Sequence, residues 1–326
     1  MTLDIILFFV GIGLLYWGAE VLVKNSTWLA KSVGVSPLII GMTVVAFGTS
    51  APELLASGMA ALQGYSDIAL GNVIGSNICN IGLVLGLVVL IWPPDHEESA
   101  VRREFPFLII ITLLIFILAL DGNIGRADGI VLIIIFSLFL YYNILTVKKK
   151  MMSKFRHEVE EVEEKIENIV EHKKRKKQRA WRNFFFSLIG LAILLAGSKL
   201  MVDSSVSIAE SIGVSQIVIG LSLVALGTSL PELFTSVVAS LKKEEKINVG
   251  MVIGSNIFNT LLVLGVAAII LPIPIAKHDI YISMSVMMLF TLAVFPILKK
   301  NIRTHRLIGL FMILGYFAFI FYSFTR

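Results

Sequence analysis

Charge is what this chain has least of. Of its 326 residues only 16% are Asp, Glu, Lys or Arg, while 56% are hydrophobic. A soluble domain carries roughly 25% charged residues, so a water-facing globule is excluded and a membrane protein is expected. Cysteine is nearly absent too: Cys79 stands alone, which excludes an internal disulfide and leaves the redox compartment open. The five histidines form no HExxH pair and none lies near the chain's repeated segments. With no nucleophile-base pair in sight either, an intramembrane hydrolase is the weakest reading, and no enzyme is expected. A general basic surface is also missing. The net charge is +5, but residues 148 to 182 alone hold 13 Lys and Arg against 7 Glu, so the remainder is near neutral. That concentration speaks of membrane topology and gives no support to nucleic-acid binding. The first apolar run has no basic segment ahead of it and no small-residue cleavage site behind it, and is expected to be a retained span.

What the chain does have is long apolar runs, each long enough to cross a hydrocarbon core of roughly 30 Å as a helix. They fall at residues 5 to 30, 36 to 62, 67 to 91, 104 to 121 and 128 to 147, then 183 to 210, 215 to 241, 246 to 271, 280 to 298 and 305 to 324. Five spans, a connection and five more predict an all-α integral membrane protein. Its parts are a first five-helix repeat (1–147), a basic cytoplasmic loop (148–182) and a second repeat (183–326). The duplication is visible residue by residue: at an offset of 179, residues 30 to 86 match residues 209 to 265 at 31 of 57 positions. An odd number of spans per half makes the second repeat enter from the opposite side, so the ten helices form two inverted repeats. Basic residues agree. Lys24 and Lys31 correspond to Asp203 and Glu210, and the connection from Gln63 to Asp67 lacks basic residues where its counterpart has Lys242, Lys243 and Lys246. Arg102, Arg103, Lys299, Lys300, Arg303 and Arg306 fall on that same side. The positive-inside rule then makes the central loop cytoplasmic and both termini outside, in a multi-pass cell-membrane protein. Within the loop, Phe155, Val159, Val162, Ile166 and Ile169 make a short seam, expected on a solvated or membrane-surface helix whose basic flanks contact anionic lipid. A regulatory contact is the other reading.

The organising stretch is Gly48-Thr-Ser-Ala-Pro-Glu53, repeated as Gly227-Thr-Ser-Leu-Pro-Glu232. Each carboxylate sits in an apolar run, where ionisation at a helix centre costs on the order of 3 kcal/mol and marks a functional site. Gly48 and Pro52 predict a helix interrupted between them. Carbonyls freed by such a break are tolerated only where they line a cavity, and the negative end of a half-helix there favours cations. Thr49, Ser50 and Glu53 add hard oxygens suited to Ca²⁺ or Na⁺. A second layer is offered by Gly75-Ser-Asn-Ile-Cys-Asn80 and Gly254-Ser-Asn-Ile-Phe-Asn259. Ser76 and Asn80 are four apart, as are Ser255 and Asn259; taken alone, such residues also serve simply to bond a neighbouring helix. Two carboxylates supply −2, which balances one Ca²⁺ or two Na⁺. Competition of two loads for one pocket is the chemical basis of an antiporter.

These paired segments resemble the two alpha repeats of the sodium/calcium exchanger family, within the cation/calcium antiporter superfamily, over almost the whole membrane portion. The resemblance implies a ten-helix inverted-repeat fold, an ion cluster at the midplane and two long helices, spans one and six, that slide across the rest. Residue by residue it implies a Ca²⁺ site of Glu53 and Glu232 with the backbone oxygens of Thr49 and Thr228. Flanking Na⁺ sites would draw on the Ala46 and Ala225 carbonyls, Ser50, Ser229, Ser76 and Ser255, and Asn80 and Asn259 would complete the central layer. Some archaeal members and the potassium-dependent branch carry Asp where this chain has Asn259, so potassium co-transport is not expected. No cofactor is implied, only transported Ca²⁺ and Na⁺ and the lipid bilayer. The leading expectation is a Na⁺/Ca²⁺ antiporter. The alternatives are a Ca²⁺/H⁺ antiporter of the same fold and, in a different class, a cation channel.

Overall fold

In a computed structural model of the chain, the described residues are 2–91, 103–160, 166–212, 225–275, 278–297 and 302–324, and they are almost wholly helical. In order they form α1 (Thr2–Val33), α2 (Pro37–Thr49), α3 (Ala51–Leu62), α4 (Ser66–Ile91), α5 (Phe105–Leu118), α6 (Arg126–Glu160), α7 (Ile166–Ser211), α8 (Ala225–Thr228), α9 (Leu230–Leu241), α10 (Glu245–Ile270), α11 (His278–Ile297) and α12 (Ile302–Phe324). Six of these carry stretches long and apolar enough to cross a membrane, and the bent pair α2 and α3 makes a seventh. Shorter apolar helices occupy Phe105–Leu118, Leu230–Leu241 and Ile280–Phe295. The chain is a multi-pass, all-helical membrane protein.

The connections follow from local chemistry. α1 stops at Gly34, whose φ of 80° suits glycine, and both Gly34 and Val35 donate backbone N–H groups to the Ala30 carbonyl. Ser36 then caps α2, its hydroxyl accepting from the Leu38 amide at 3.3 Å, with Pro37 in the first turn where no N–H is needed. α3 ends the same way at Gly64, but its counterpart after α9 is Lys243, the one non-glycine residue of positive φ (57°) among the described residues. A basic residue thus occupies a left-handed position that its own backbone disfavours.

α1 and α7 run antiparallel along their length. Ser26 and Ser187 hydroxyls meet at 3.3 Å, and Asn183 donates to Ser32 at 3.2 Å. Glycine makes this approach feasible: a Cβ on Gly18 would lie 2.5 Å from the Leu194 backbone nitrogen, and one on Gly190 2.6 Å from that of Leu22. Gly11 and Gly197 face each other in the same manner. Positions 11 and 190, and 18 and 197, are each 179 apart, so the seam is self-complementary about the duplication. At another edge, Asn123–Ile124 pairs antiparallel with Ile273–Pro274, tying the turn after α5 to the turn after α10.

The basic stretch between the halves is mostly helix. α6 continues to Glu160 and α7 begins at Ile166, so residues expected as a connection extend the flanking spans. The side chains of the seam from Phe155 to Ile169, and residues Arg102, Lys299 and Lys300, lie outside the described residues, as does the start of the span expected at 215 to 241.

Candidate functional site

The expected break is present in both repeats. α2 and α3 meet at Ser50 (φ −84°, ψ 6°) with a bend of 44°, and α8 and α9 meet at Ser229 (φ −89°, ψ 1°). The cause is Pro52, which has no N–H for the Gly48 carbonyl, and Pro231, which has none for that of Gly227. In the second repeat Ser198 of α7 takes up the freed group, its hydroxyl donating to the Gly227 carbonyl at 2.9 Å. The break puts Glu53 and Glu232 in the first turns of α3 and α9, where the positive end of each half-helix favours a carboxylate. It also turns the carbonyl ends of α2 and α8 towards the same region.

Both glutamates are fully buried. They come from opposite halves and lie within electrostatic reach of each other. Ser50 of the first repeat donates to Glu232 Oε1 of the second at 3.2 Å, and Ser255 donates to the same oxygen at 3.4 Å. Ser229 lies beside Glu53, but the contact falls short of hydrogen-bond geometry. Neither oxygen of Glu53 has a hydrogen-bond partner among the described residues, nor has Glu232 Oε2. The same holds for the hydroxyls of Ser76 and Ser229 and the whole side-chain amides of Asn80 and Asn259, all buried. Leaving one such group unpaired costs about 1 to 3 kcal/mol, and more when it is charged. A cluster of them supplied by both repeats offers the kind of oxygens that a buried cation requires.

The remaining expected ligands sit close by in sequence and fold. Thr49 is buried at the end of α2, and its hydroxyl donates to the Ala46 carbonyl at 3.4 Å. Thr228 is half-buried at the end of α8. Ala225 opens α8, and its side chain is outside the described residues. No group of three or more His, Cys, Asp or Glu arranged to hold a metal ion occurs among the described residues. The two carboxylates lie among neutral oxygens, a set suited to hard cations such as Ca²⁺ and Na⁺, with the buried thiol of Cys79 also within electrostatic reach.

Several features of the site carry little signal in the sequence. Asn80 and Asn259 each begin a π-helical turn, Asn80–Leu85 and Asn259–Val263, a local widening often found at functional sites. Asn72 donates to Ser57 at 2.9 Å and to the Glu53 carbonyl at 3.4 Å, so it holds the backbone of the first glutamate. Asn77 donates to Thr260 at 2.9 Å, a further bond between the repeats. The available signal was thin: Asn77 lies inside the repeated Gly-Ser-Asn motif, while Asn72 and Ser198 have no counterpart of the same type, Met251 and Ala19 standing at the equivalent positions.

The profile of the family described as sodium/calcium exchanger protein matches residues 3–145 and 182–325. CaxA of Alkalimonas amylolytica is 36% identical over 334 residues, covering all of both chains. The sodium/calcium exchanger MaX1 of Methanosarcina acetivorans is 27% identical, covering 98% of each. Among solved structures, the sodium-calcium exchanger NCX_Mj soaked with 10 mM Na⁺ and 10 mM Sr²⁺ superposes with a TM-score of 0.81 at 31% identity, covering 97% of both chains.

Proposed function

This chain belongs to the sodium/calcium exchanger family, and from that premise we propose that it is a secondary antiporter that lets Na⁺ run down its gradient to expel Ca²⁺ across a cell membrane by alternating access. The observation that carries the reading is the pair of buried, symmetry-related glutamates with unpaired carboxylate oxygens, joined across the repeats by the bond from Ser50 to Glu232. Glu53 and Glu232 neutralise one Ca²⁺, assisted by backbone oxygens of Thr49 and Thr228 and by the amides of Asn80 and Asn259. Na⁺ occupies flanking positions drawn from Ser50, Ser229, Ser76, Ser255 and the carbonyls of Ala46 and Ala225. Either load cancels all or part of the −2 charge, so either releases the penalty of burying two carboxylates without a partner. That shared release makes the two loads alternatives for one pocket.

The architecture is ten crossings in two inverted halves, with the shorter helices α5, α9 and α11 also spanning. The pairing of the turn after α5 with the turn after α10 supports this count, because those turns follow the fourth and eighth crossings and so share a side. The termini are outside, and the basic ends of α6 and α7 lie in the cytoplasm against anionic lipid. A seam of small residues between α1 and α7 supports their acting as one unit.

The test is ⁴⁵Ca²⁺ uptake into proteoliposomes loaded with Na⁺, against vesicles with an outward H⁺ gradient and no Na⁺. Uptake that requires internal Na⁺ is expected. Uptake driven by H⁺ alone would overturn the choice of coupling ion, and flux needing no counter-ion would overturn the antiporter.

A further inference from the structure

The two repeats are not in equivalent conformations. α1 packs along α9, while its symmetry mate α7 makes no comparable contact with α3 among the described residues. Burial records the difference position by position. Val238 on α9 is 1% exposed, but its counterpart Met59 on α3 is 51% exposed. Thr235 is buried where Ala56 is exposed, and Phe234 is half-buried where Leu55 is exposed. So, among the described residues, the end of α9 is covered by α1 and the end of α3 is left uncovered.

At the covered end stands an ion pair. Lys242, the residue that closes α9, donates through Nζ to Glu20 Oε1 of α1 at 2.7 Å. The equivalent positions in the other half are Gln63, which closes α3, and Lys199 on α7. Among the described residues Lys199 makes an ion pair only within its own helix, with Asp203 at 3.5 Å, both well exposed. Lys24 also bears on Glu20, but it lies one turn along α1 and travels with it, so it does not distinguish one arrangement from another.

In an inverted-repeat transporter the opposite-facing state arises when the two halves exchange conformations about a fixed site. Exchange here would uncover α9, lay α7 over α3 and bring Lys199 towards Gln63, a pair with no charge attraction. We infer that the Glu20–Lys242 ion pair is a one-sided latch: these two positioning residues favour the state in which α1 covers α9, and the equivalent positions, Lys199 and Gln63, provide no such pair for the other state. The inference rests on the alternating-access reading above, and neither residue belongs to the ion site.

The experiment measures apparent Ca²⁺ affinity from each face separately, in right-side-out and everted membrane vesicles. Only the state that opens to a face binds from it, so apparent affinity on that face scales with the population of that state. Glu20→Gln and Lys242→Gln should each weaken Ca²⁺ binding about twofold to fivefold on the face where α3 ends, the range of a partly exposed ion pair, and strengthen it on the other face. The exchanged pair Glu20→Lys with Lys242→Glu should restore the wild-type ratio. Gln63→Glu, which supplies Lys199 with a partner, should shift both faces in the same direction as loss of the latch. Equal shifts on both faces, no shift, or failure of the exchanged pair to restore the ratio would overturn the latch. Wild-type vesicles without Na⁺-dependent Ca²⁺ flux would instead overturn the transport reading itself, so the two failures are distinguishable.

Discussion

Replacing Glu53 by Gln separates ion binding from folding, because of how the residue is held. Both its carboxylate oxygens are buried and lack hydrogen-bond partners among the described residues. Glu53→Gln preserves shape and breaks no hydrogen bond given above, while removing half of the charge proposed to balance Ca²⁺. Breaking a buried charge pair by removing one partner costs roughly 3 to 5 kcal/mol. At about 1.4 kcal/mol per tenfold, Ca²⁺ affinity falls about a hundredfold to a few thousandfold. Thermal unfolding of the purified protein with and without Ca²⁺ reads this directly. At a Ca²⁺ concentration about 100 times the wild-type Kd, binding adds about 2.7 kcal/mol to wild-type stability, and a hundredfold-weakened variant gains only about 0.4 kcal/mol. Without Ca²⁺ the variant should melt at or above the wild-type temperature, since a buried unpaired carboxylate has become a neutral amide. An undiminished Ca²⁺-dependent shift would refute the site. A Tm several degrees lower without Ca²⁺ would show that Glu53 is structural.

Other substitutions test the frame around that site. Gly18→Ala drives a Cβ to 2.5 Å from the Leu194 backbone and should cost about 1 to 3 kcal/mol in an unfolding measurement, whereas Gly13→Ala, with nothing within 4 Å, should be neutral or slightly stabilising; equal effects would deny the tight α1–α7 seam. Ser198→Ala strands the Gly227 carbonyl and should cost about 1 to 3 kcal/mol. In a Pro231→Ala background, which restores an amide for that carbonyl, the same change should cost less, and a cycle showing simple additivity would remove the link. Deleting residues 153 to 172 should leave Na⁺-dependent Ca²⁺ flux in proteoliposomes intact, and its loss would make that stretch part of the transport machinery.

The parts of the site legible in the sequence are those that repeat. Glu53 and Glu232 stand out because each is a charge in an apolar run and because Pro52 and Pro231 mark the same break. The break was found at Ser50 and Ser229, as the proline spacing predicts. Ser198 and Asn72 were not legible, for they act once, in one half, through partners 29 and 15 residues away. The π-helical turns at Asn80 and Asn259 escaped as well, since hydrophobic periodicity does not separate a π turn from the α-helix around it.

By itself the sequence determined the solvent, the duplication and the chemistry of the pocket. Those depend on composition and on the order of residues within a segment, which hold whatever the segment packs against. Tertiary structure alone decided what the two halves do to each other. It put Ser50 on Glu232 and aligned four glycines into one seam. It also buried Val238 while leaving its counterpart Met59 exposed. Met59 and Val238 lie at equivalent places on equivalent helices, α3 and α9, so their difference in burial reflects long-range packing, here the choice of α1 to lie on α9.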